Sequence, residues 1–330
     1  MRRLSAGVHS ELGILGNMGD TRTVRDHEGS DAKLSESGHG ESIWTSLGTT
    51  SIRIDYDFVG GWRTRILQAG DGDAIILLHG TGGHLEAYAR NIEKLAVGHR
   101  VIAFDFPGHG YSDLATSDLE IPDYVRHLKH LMDRLGLPRA TLCGESLGGW
   151  VAVKFAATYP HMVSRLILNT PGGMKADPKV MERIRTLSQN AADDPTRDQI
   201  RRRLEWLMAD PDTVTDELVS VRRAIYSRPG FAESMRHILC LQYPELRARN
   251  LITAEEIEAV RAPTLVVWTS DDPSGPAADG MALAEALDNA TYKLIQGAGH
   301  WPQWEQSEVY NAVVEEFMAS HPQSGREAGS

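Results

Sequence analysis

Ala140-Thr141-Leu142-Cys143-Gly144-Glu145-Ser146-Leu147-Gly148-Gly149 runs from an apolar strand pattern into a helical one, with a serine at the junction. Glycine stands two residues before that serine and two after it, the spacing G-x-S-x-G. A strand-to-helix turn this tight has no room for side chains at 144 and 148, so Ser146 is left exposed at the top of a sheet. The N–H of Leu147 opens the next helix, where unpaired donors favour a developing negative charge. Ser146 is thus a candidate nucleophile and Leu147 a candidate oxyanion donor. A small-residue helix entry without chemistry fits the same ten residues, so the surroundings decide.

Upstream, Ser51–Tyr56 alternates apolar and polar residues, and Gly61–Ala69 follows a glycine turn, which predicts an opening antiparallel pair. Ala74–Leu78 is a continuous apolar run, as expected of a strand covered on both faces. It ends in His79-Gly80-Thr81-Gly82-Gly83, where glycines let the backbone approach a ligand, and a helical stretch, Leu85–Leu95, follows. The amide of Thr81 or Gly82 is the candidate second oxyanion donor. Val101–Phe104 is a further buried strand, and Asp105 and His109 beyond it read as a structural loop. Ile121–Leu135 carries a helical apolar stripe, with Gly136 to end it.

Downstream, a helix over Leu147–Tyr159 stops at Pro160, and Leu166–Asn169 is a strand. From Gly172 to Ala259 the pattern holds no buried strand, only charged helical stretches: Lys179–Asn190, Asp198–Met208, Asp216–Tyr226 and Phe231–Leu239. Most of those charges are expected on a solvated face, and Trp206, Met208, Phe231 and Met235 in the block's own core. The strand–helix alternation resumes at Thr264–Trp268, followed by helix Ala277–Leu287, strand Tyr292–Ile295 and helix Ser307–Met318.

Ser146, Asp272 and His300 each fall just past the C-terminal end of a predicted strand. In a parallel α/β sheet those ends face one crevice. A serine hydroxyl needs a base, histidine supplies one near neutral pH, and a carboxylate on the other ring nitrogen fixes its tautomer. Asp271 is the rival for the acid; Asp272 is preferred because Asp271 lies closer to the strand end. An aspartate at the elbow would point to alkyl halides or epoxides, whereas serine points to acyl transfer to water. No H-E-x-x-H is present, and no G-x-G-x-x-G follows the first parallel strand, so a hydrolase without metal or cofactor is expected.

Bulk properties narrow the classes further. A formal charge of −11 argues against non-specific nucleic-acid binding. No stretch reaches the length of an apolar membrane span, and the basic start, Met1-Arg2-Arg3, has no apolar signal core behind it, so a cytoplasmic protein is expected. Two cysteines, Cys143 and Cys240, make no disulfide framework. The expected organisation is a flexible extension over 1–40, an α/β core over 41–171 and 260–320, a helical cap over 172–259, and a flexible tail over 321–330.

Over about residues 45–318 the chain resembles the α/β-hydrolases, whose Ser…Asp…His order it shares. Within them it resembles the meta-cleavage-product hydrolases, through Gly144–Trp150, Trp268–Pro273 and Gly299-His300-Trp301-Pro302. His79–Glu86, Asn169–Gly173 and the Leu239–Leu241 neighbourhood look like the carbazole and aminobiphenyl-type branch. The resemblance implies an α/β-hydrolase fold: a mostly parallel central sheet with a helical cap inserted after the strand that follows the nucleophile helix. It implies hydrolysis of a carbon–carbon bond in an aromatic ring-fission product, a 2-hydroxy-6-oxohexa-2,4-dienoate, without a cofactor, by a homodimer. It also implies a triad of Ser146, Asp272 and His300, a pocket tryptophan at Trp301 and a dienoate-holding cap arginine, for which Arg222 is the candidate. Gly83 and Glu145 would adjoin the substrate. Glu145 departs from the asparagine common at its position, and a carboxylate there repels an acidic substrate unless it is protonated or turned away. A carboxylesterase or lactonase uses the same triad and is the alternative; a ligand-binding protein that keeps only the fold is the third.

Overall fold

The computed structural model describes residues 42–47 and 50–322. The extension expected over 1–40, and residues 323–330 of the tail expected over 321–330, lie outside the described residues.

Eight strands make one sheet: β1 (Ile52–Val59), β2 (Trp62–Ala69), β3 (Asp73–Leu78), β4 (His99–Phe104), β5 (Ala140–Glu145), β6 (Val163–Asn169), β7 (Thr264–Thr269) and β8 (Ala290–Ile295). Their spatial order is β1-β2-β4-β3-β5-β6-β7-β8. The first two pairings, β1 with β2 and β2 with β4, are antiparallel, and the other five are parallel. The parallel strands are continuous apolar runs because both faces are covered. Ile75, Leu77, Cys143 and Ile167 pack on one side, and Ile76, Leu78, Leu142 and Leu168 on the other, as the two-residue period of a strand requires.

Four helices follow parallel strands of the sheet: α1 (Ala89–Ala96), α2 (Ile121–Arg134), and α3 (Leu147–Thr158), which leaves β5 directly. The block after β6 is helical throughout, with α4 (Pro178–Asp193), α5 (Arg197–Glu205), α6 (Asp216–Tyr226), α7 (Phe231–Ile238), α8 (Pro244–Asn250) and α9 (Ala254–Ala259). The fourth is α10 (Ala277–Ala286), between β7 and β8; α11 (Pro302–Glu305) and α12 (Ser307–Ser320) close the chain. Start signals in the cap are local: Asp177, Thr196 and Thr215 each accept a first-turn N–H of α4, α5 and α6. The short helices α8, α9 and α11 lack the long periodicity that reveals a helix in sequence.

Beneath the cap lies a buried charged network, of which the sequence pointed only to Asp105. Arg65 on β2 grips Glu86 with both Nη groups, at 2.9 and 2.8 Å, and Asp105 with Nε at 2.6 Å, all of them buried. Asp105 also accepts the N–H groups of Leu85 and Tyr111, at 2.8 and 2.7 Å, so it fixes the loops after β3 and β4. This fits the structural role expected of Asp105, as does His109, whose Nδ1 bonds Pro107 O at 2.9 Å.

Candidate active site

The elbow is held by close backbone contact. A Cβ on Gly148 would lie 2.0 Å from Leu78 O, and one on Gly144 would lie 2.3 Å from Gly148 O. Ser146 is left with φ 51° and ψ −111°, a strained conformation that costs on the order of 1–3 kcal/mol. Its N–H donates to Asn169 O at 3.1 Å, and its own carbonyl accepts from Trp150 and Gly172. These bonds tie the turn to β6 and α3 and aim the side chain into a cavity under the cap.

His300 stands in the loop after β8, stitched to the cap. Its N–H donates to Leu207 O at 2.6 Å, and its carbonyl accepts from Thr170 Oγ1 at 3.0 Å. Glu305 accepts from Gly299 with one carboxylate oxygen and from Ala209 and Asp210 with the other. The imidazole Nδ1 lies 3.0 and 3.1 Å from the two oxygens of Asp272, whose side chain is fully buried. Asp272 is held in turn by the N–H and hydroxyl of Ser274, at 2.8 and 2.7 Å. Asp271 is exposed, and its carboxylate takes the hydroxyl of Ser270 at 2.5 Å. The structure thus brings His300 to Asp272 rather than to Asp271.

On its other side His300 meets an unexpected neighbour. Nε2 lies 3.3 Å from Oε1 of Glu145, and no hydrogen bond among the described residues joins it to Ser146. Burial disfavours the imidazolium, but Asp272 and then Glu145 outweigh it, and the pKa of His300 is raised. Burial likewise raises that of Glu145, against the opposing pull of His300, the Gly80 N–H, Arg222 and Arg203.

The loop after β3 is positioned by His79. Its Nδ1 bonds Gly80 O at 2.8 Å, and its Nε2 accepts from Phe106 N at 3.1 Å, which fixes a neutral tautomer. Burial, the leading cause, lowers its pKa to about 3. Gly80, Thr81, Leu147, Glu145 and Trp301 share the cavity wall with Ser146 and His300.

Gly82 and Gly83 lie off that wall: the Gly82 carbonyl takes the Tyr226 hydroxyl at 2.9 Å, and the Gly83 N–H closes a turn onto Gly80 O at 2.9 Å. Arg222 lies off it too. Its guanidinium is wholly buried behind the ring of Trp301, 5.2 Å from the centroid. Nε faces His84 Nε2 at 3.5 Å, and neither Nη has a partner. His84 Nδ1 bonds Glu86 at 2.9 Å, so Arg222 is braced against the Arg65 network. Trp206, expected in the cap core, is half-buried and lines the cavity.

Sequence reasoning missed Arg203. It is buried on α5, lines the cavity, donates through Nε to Ser188 at 2.8 Å and leaves Nη1 unpartnered. Burial lowers its pKa to about 10. The signal was available: Ile200, Arg203, Leu204 and Leu207 form one helical stripe, and so do Leu218, Val219, Arg222 and Ile225. An arginine inside an apolar stripe faces inward, whatever the charge of the run around it.

A strained serine, an imidazole on a buried carboxylate and a helix N-terminus meet in one cavity, an arrangement able to transfer an acyl group. Comparison with known proteins agrees with that chemistry. Residues 73–307 match the family model described as the alpha/beta hydrolase fold. A 2-hydroxy-6-oxo-6-phenylhexa-2,4-dienoate hydrolase of Burkholderia cepacia is 34% identical over 287 residues, 83% of this chain and 98% of the relative. A 2-hydroxy-6-oxononadienedioate/2-hydroxy-6-oxononatrienedioate hydrolase of Comamonas testosteroni is also 34% identical, over 82% of this chain and 97% of its own length. Among solved structures, a meta-cleavage product hydrolase from Pseudomonas fluorescens IP01 superposes with a TM-score of 0.72 at 28% identity, over 81% of this chain and 98% of that one. The chain belongs to the α/β-hydrolase family and, within it, to the meta-cleavage-product hydrolases.

Proposed function

We propose that the protein hydrolyses the carbon–carbon bond beside the 6-oxo group of a 2-hydroxy-6-oxohexa-2,4-dienoate, with Ser146, His300 and Asp272 as its triad. The products are a 2-hydroxypenta-2,4-dienoate and a carboxylic acid. The observation that carries the substrate assignment is Arg222. Burying a guanidinium with two unpaired Nη groups is costly unless an anion arrives to pair with it. The carboxylate of a dienoate is such an anion, and a neutral ester is not. Trp301 lines the cavity and its ring packs 5.2 Å from the Arg222 guanidinium, so the proposal requires that ring to shift for the carboxylate to reach Arg222.

The chemistry follows from the site. A dienol is a poor leaving group, so it is first converted to its keto form: the 2-hydroxyl loses a proton and C5 gains one, with His300 moving it. Holding the carboxylate and 2-oxo end favours that form through position and charge. Ser146, or water that it activates, then attacks C6. The amide of Leu147 and one from the Thr81–Gly82 segment stabilise the oxyanion. The C5–C6 bond breaks with its electron pair moving onto C5 and into the 2-oxo group, which takes a proton from His300; on the serine route water then hydrolyses the acyl-serine to the carboxylic acid.

Product analysis tests the assignment. Incubation with a 6-phenyl dienoate should yield one benzoate and one 2-hydroxypentadienoate per molecule consumed. Recovery of unchanged dienoate alongside rapid cleavage of p-nitrophenyl esters would make the protein an esterase instead. The assembly proposed is a homodimer in the cytoplasm. Ile54, Tyr56 and Phe58, exposed on β1, support the dimer, and sedimentation of the full chain checks it.

A further inference from the structure

The carboxyl group of Glu145 lies on the Nε2 side of His300, where the nucleophile's hydroxyl would be expected. Glu145 ends β5, one residue before Ser146, and is 1% exposed. Its Oε1 is 3.3 Å from His300 Nε2, and its Oε2 has no hydrogen-bond partner. Room for it comes from Gly80, whose Cβ, if present, would lie 2.5 Å from Oε2. His300 therefore lies between two carboxyl groups, Asp272 at Nδ1 and Glu145 at Nε2.

We infer that Glu145 is a positioning residue acting through His300: it holds the imidazole from the Nε2 side, so that Ser146 must take its base from a carboxylate. The inference rests on the reading of His300 as the base. With Glu145 Oε1 only 3.3 Å from Nε2, a proton on that nitrogen faces a second carboxyl group, and His300 binds it more tightly than Asp272 alone would require. The base becomes free only when that proton leaves, so Glu145 sets the pH at which Ser146 can be activated.

The surrounding charges are consistent with this. Glu145 is faced by His300, the guanidinium groups of Arg222 and Arg203 from the cap, the Gly80 N–H, and the phenols of Tyr88 and Tyr310. His300 is faced by Asp272 and the Ser274 hydroxyl at Nδ1, by Glu145 at Nε2 and by Arg203 from the cap. Of these, only Asp272 and Glu145 raise its proton affinity through charge. Removing the Glu145 charge should lower it.

The test is E145Q, an isosteric neutral change. Two readouts are taken: the acid limb of kcat/KM against pH for a neutral p-nitrophenyl ester, and the titration of the His300 ring nitrogens in 15N-histidine-labelled protein, assigned with H300N. Both should move to lower pH by about one unit. A merely structural Glu145 would change the height of the profile and leave both midpoints in place. Midpoints unmoved in a folded E145Q would overturn the inference. If E145Q does not fold, E145D retracts the carboxylate by one methylene, and the same two midpoints should move part of the way; their staying fixed overturns it equally. A protein that cleaves neither ester nor dienoate would refute the proposed function, and the imidazole titration would still decide the role of Glu145.

Discussion

Arg222 offers its Nε to His84 Nε2 at 3.5 Å and keeps both Nη nitrogens unpaired in a wholly buried setting. The brace continues through Glu86 to Arg65 and Asp105 on the strand side. Under the proposed function that unpaired fork takes the substrate carboxylate, a pairing that suits a planar guanidinium.

Replacing Arg222 with methionine keeps the bulk and removes the fork. For an acidic dienoate kcat/KM should fall about 10²–10³-fold, as when a buried charged partner is lost. For a neutral p-nitrophenyl ester it should stay within about threefold. Steady-state rates on both substrates check this. Equal losses on the two would make Arg222 a support of the cap.

Glu86→Ala strips Arg65 and His84 of their shared partner. Burial alone would raise the pKa of Glu86, but His84 and Arg65 hold it well below the usual carboxylate range. Breaking such a buried pair from one side leaves Arg65 short of charge, and about 3–5 kcal/mol of stability should be lost. Urea denaturation of both proteins measures it. A loss under about 1 kcal/mol would mean that Asp105 alone satisfies Arg65.

Acid should destabilise the fold as pH falls below about 6.5. Burial, the leading cause in each case, lowers the pKa values of His79, His109 and His127 to about 3. In the unfolded chain each titrates near about 6.5, so between those values the unfolded state binds more protons. Their contribution is complete above about pH 6.5 and is lost as pH falls toward about 3, at up to about 1.4 kcal/mol per unit for each ring. Denaturation midpoints at pH 7 and pH 5 should differ clearly, with the lower stability at pH 5. Equal midpoints would show that these rings are solvated in the folded protein.

The fold and the pairing of Asp272 with His300 were legible because each depends on local signals. Apolar runs mark strands covered on both faces, and Gly144 and Gly148 mark a turn with no room for a Cβ. The loops after β5, β7 and β8 then meet because parallel strands end on one edge. Two cap arginines were harder to read. Arg203 stands in the run Arg201-Arg202-Arg203, which looks solvated unless its place in the stripe with Ile200 and Leu204 is counted. The contact of Glu145 with His300 joins residues 155 positions apart and has no pattern within either segment. The same holds for Arg65 with Glu86 and Asp105, where charges from three loops and strands are buried together. Sequence periodicity reports which face is buried, not which buried charges meet.

The most direct measurement compares wild-type protein with Ser146→Ala on a yellow 6-phenyl dienoate, following the loss of its colour, with a p-nitrophenyl ester beside it. The wild type should bleach the dienoate far faster than it cleaves the ester, and the variant should lose turnover by several orders of magnitude while keeping the wild-type melting curve. Bleaching by the folded variant at the wild-type rate would contradict the account.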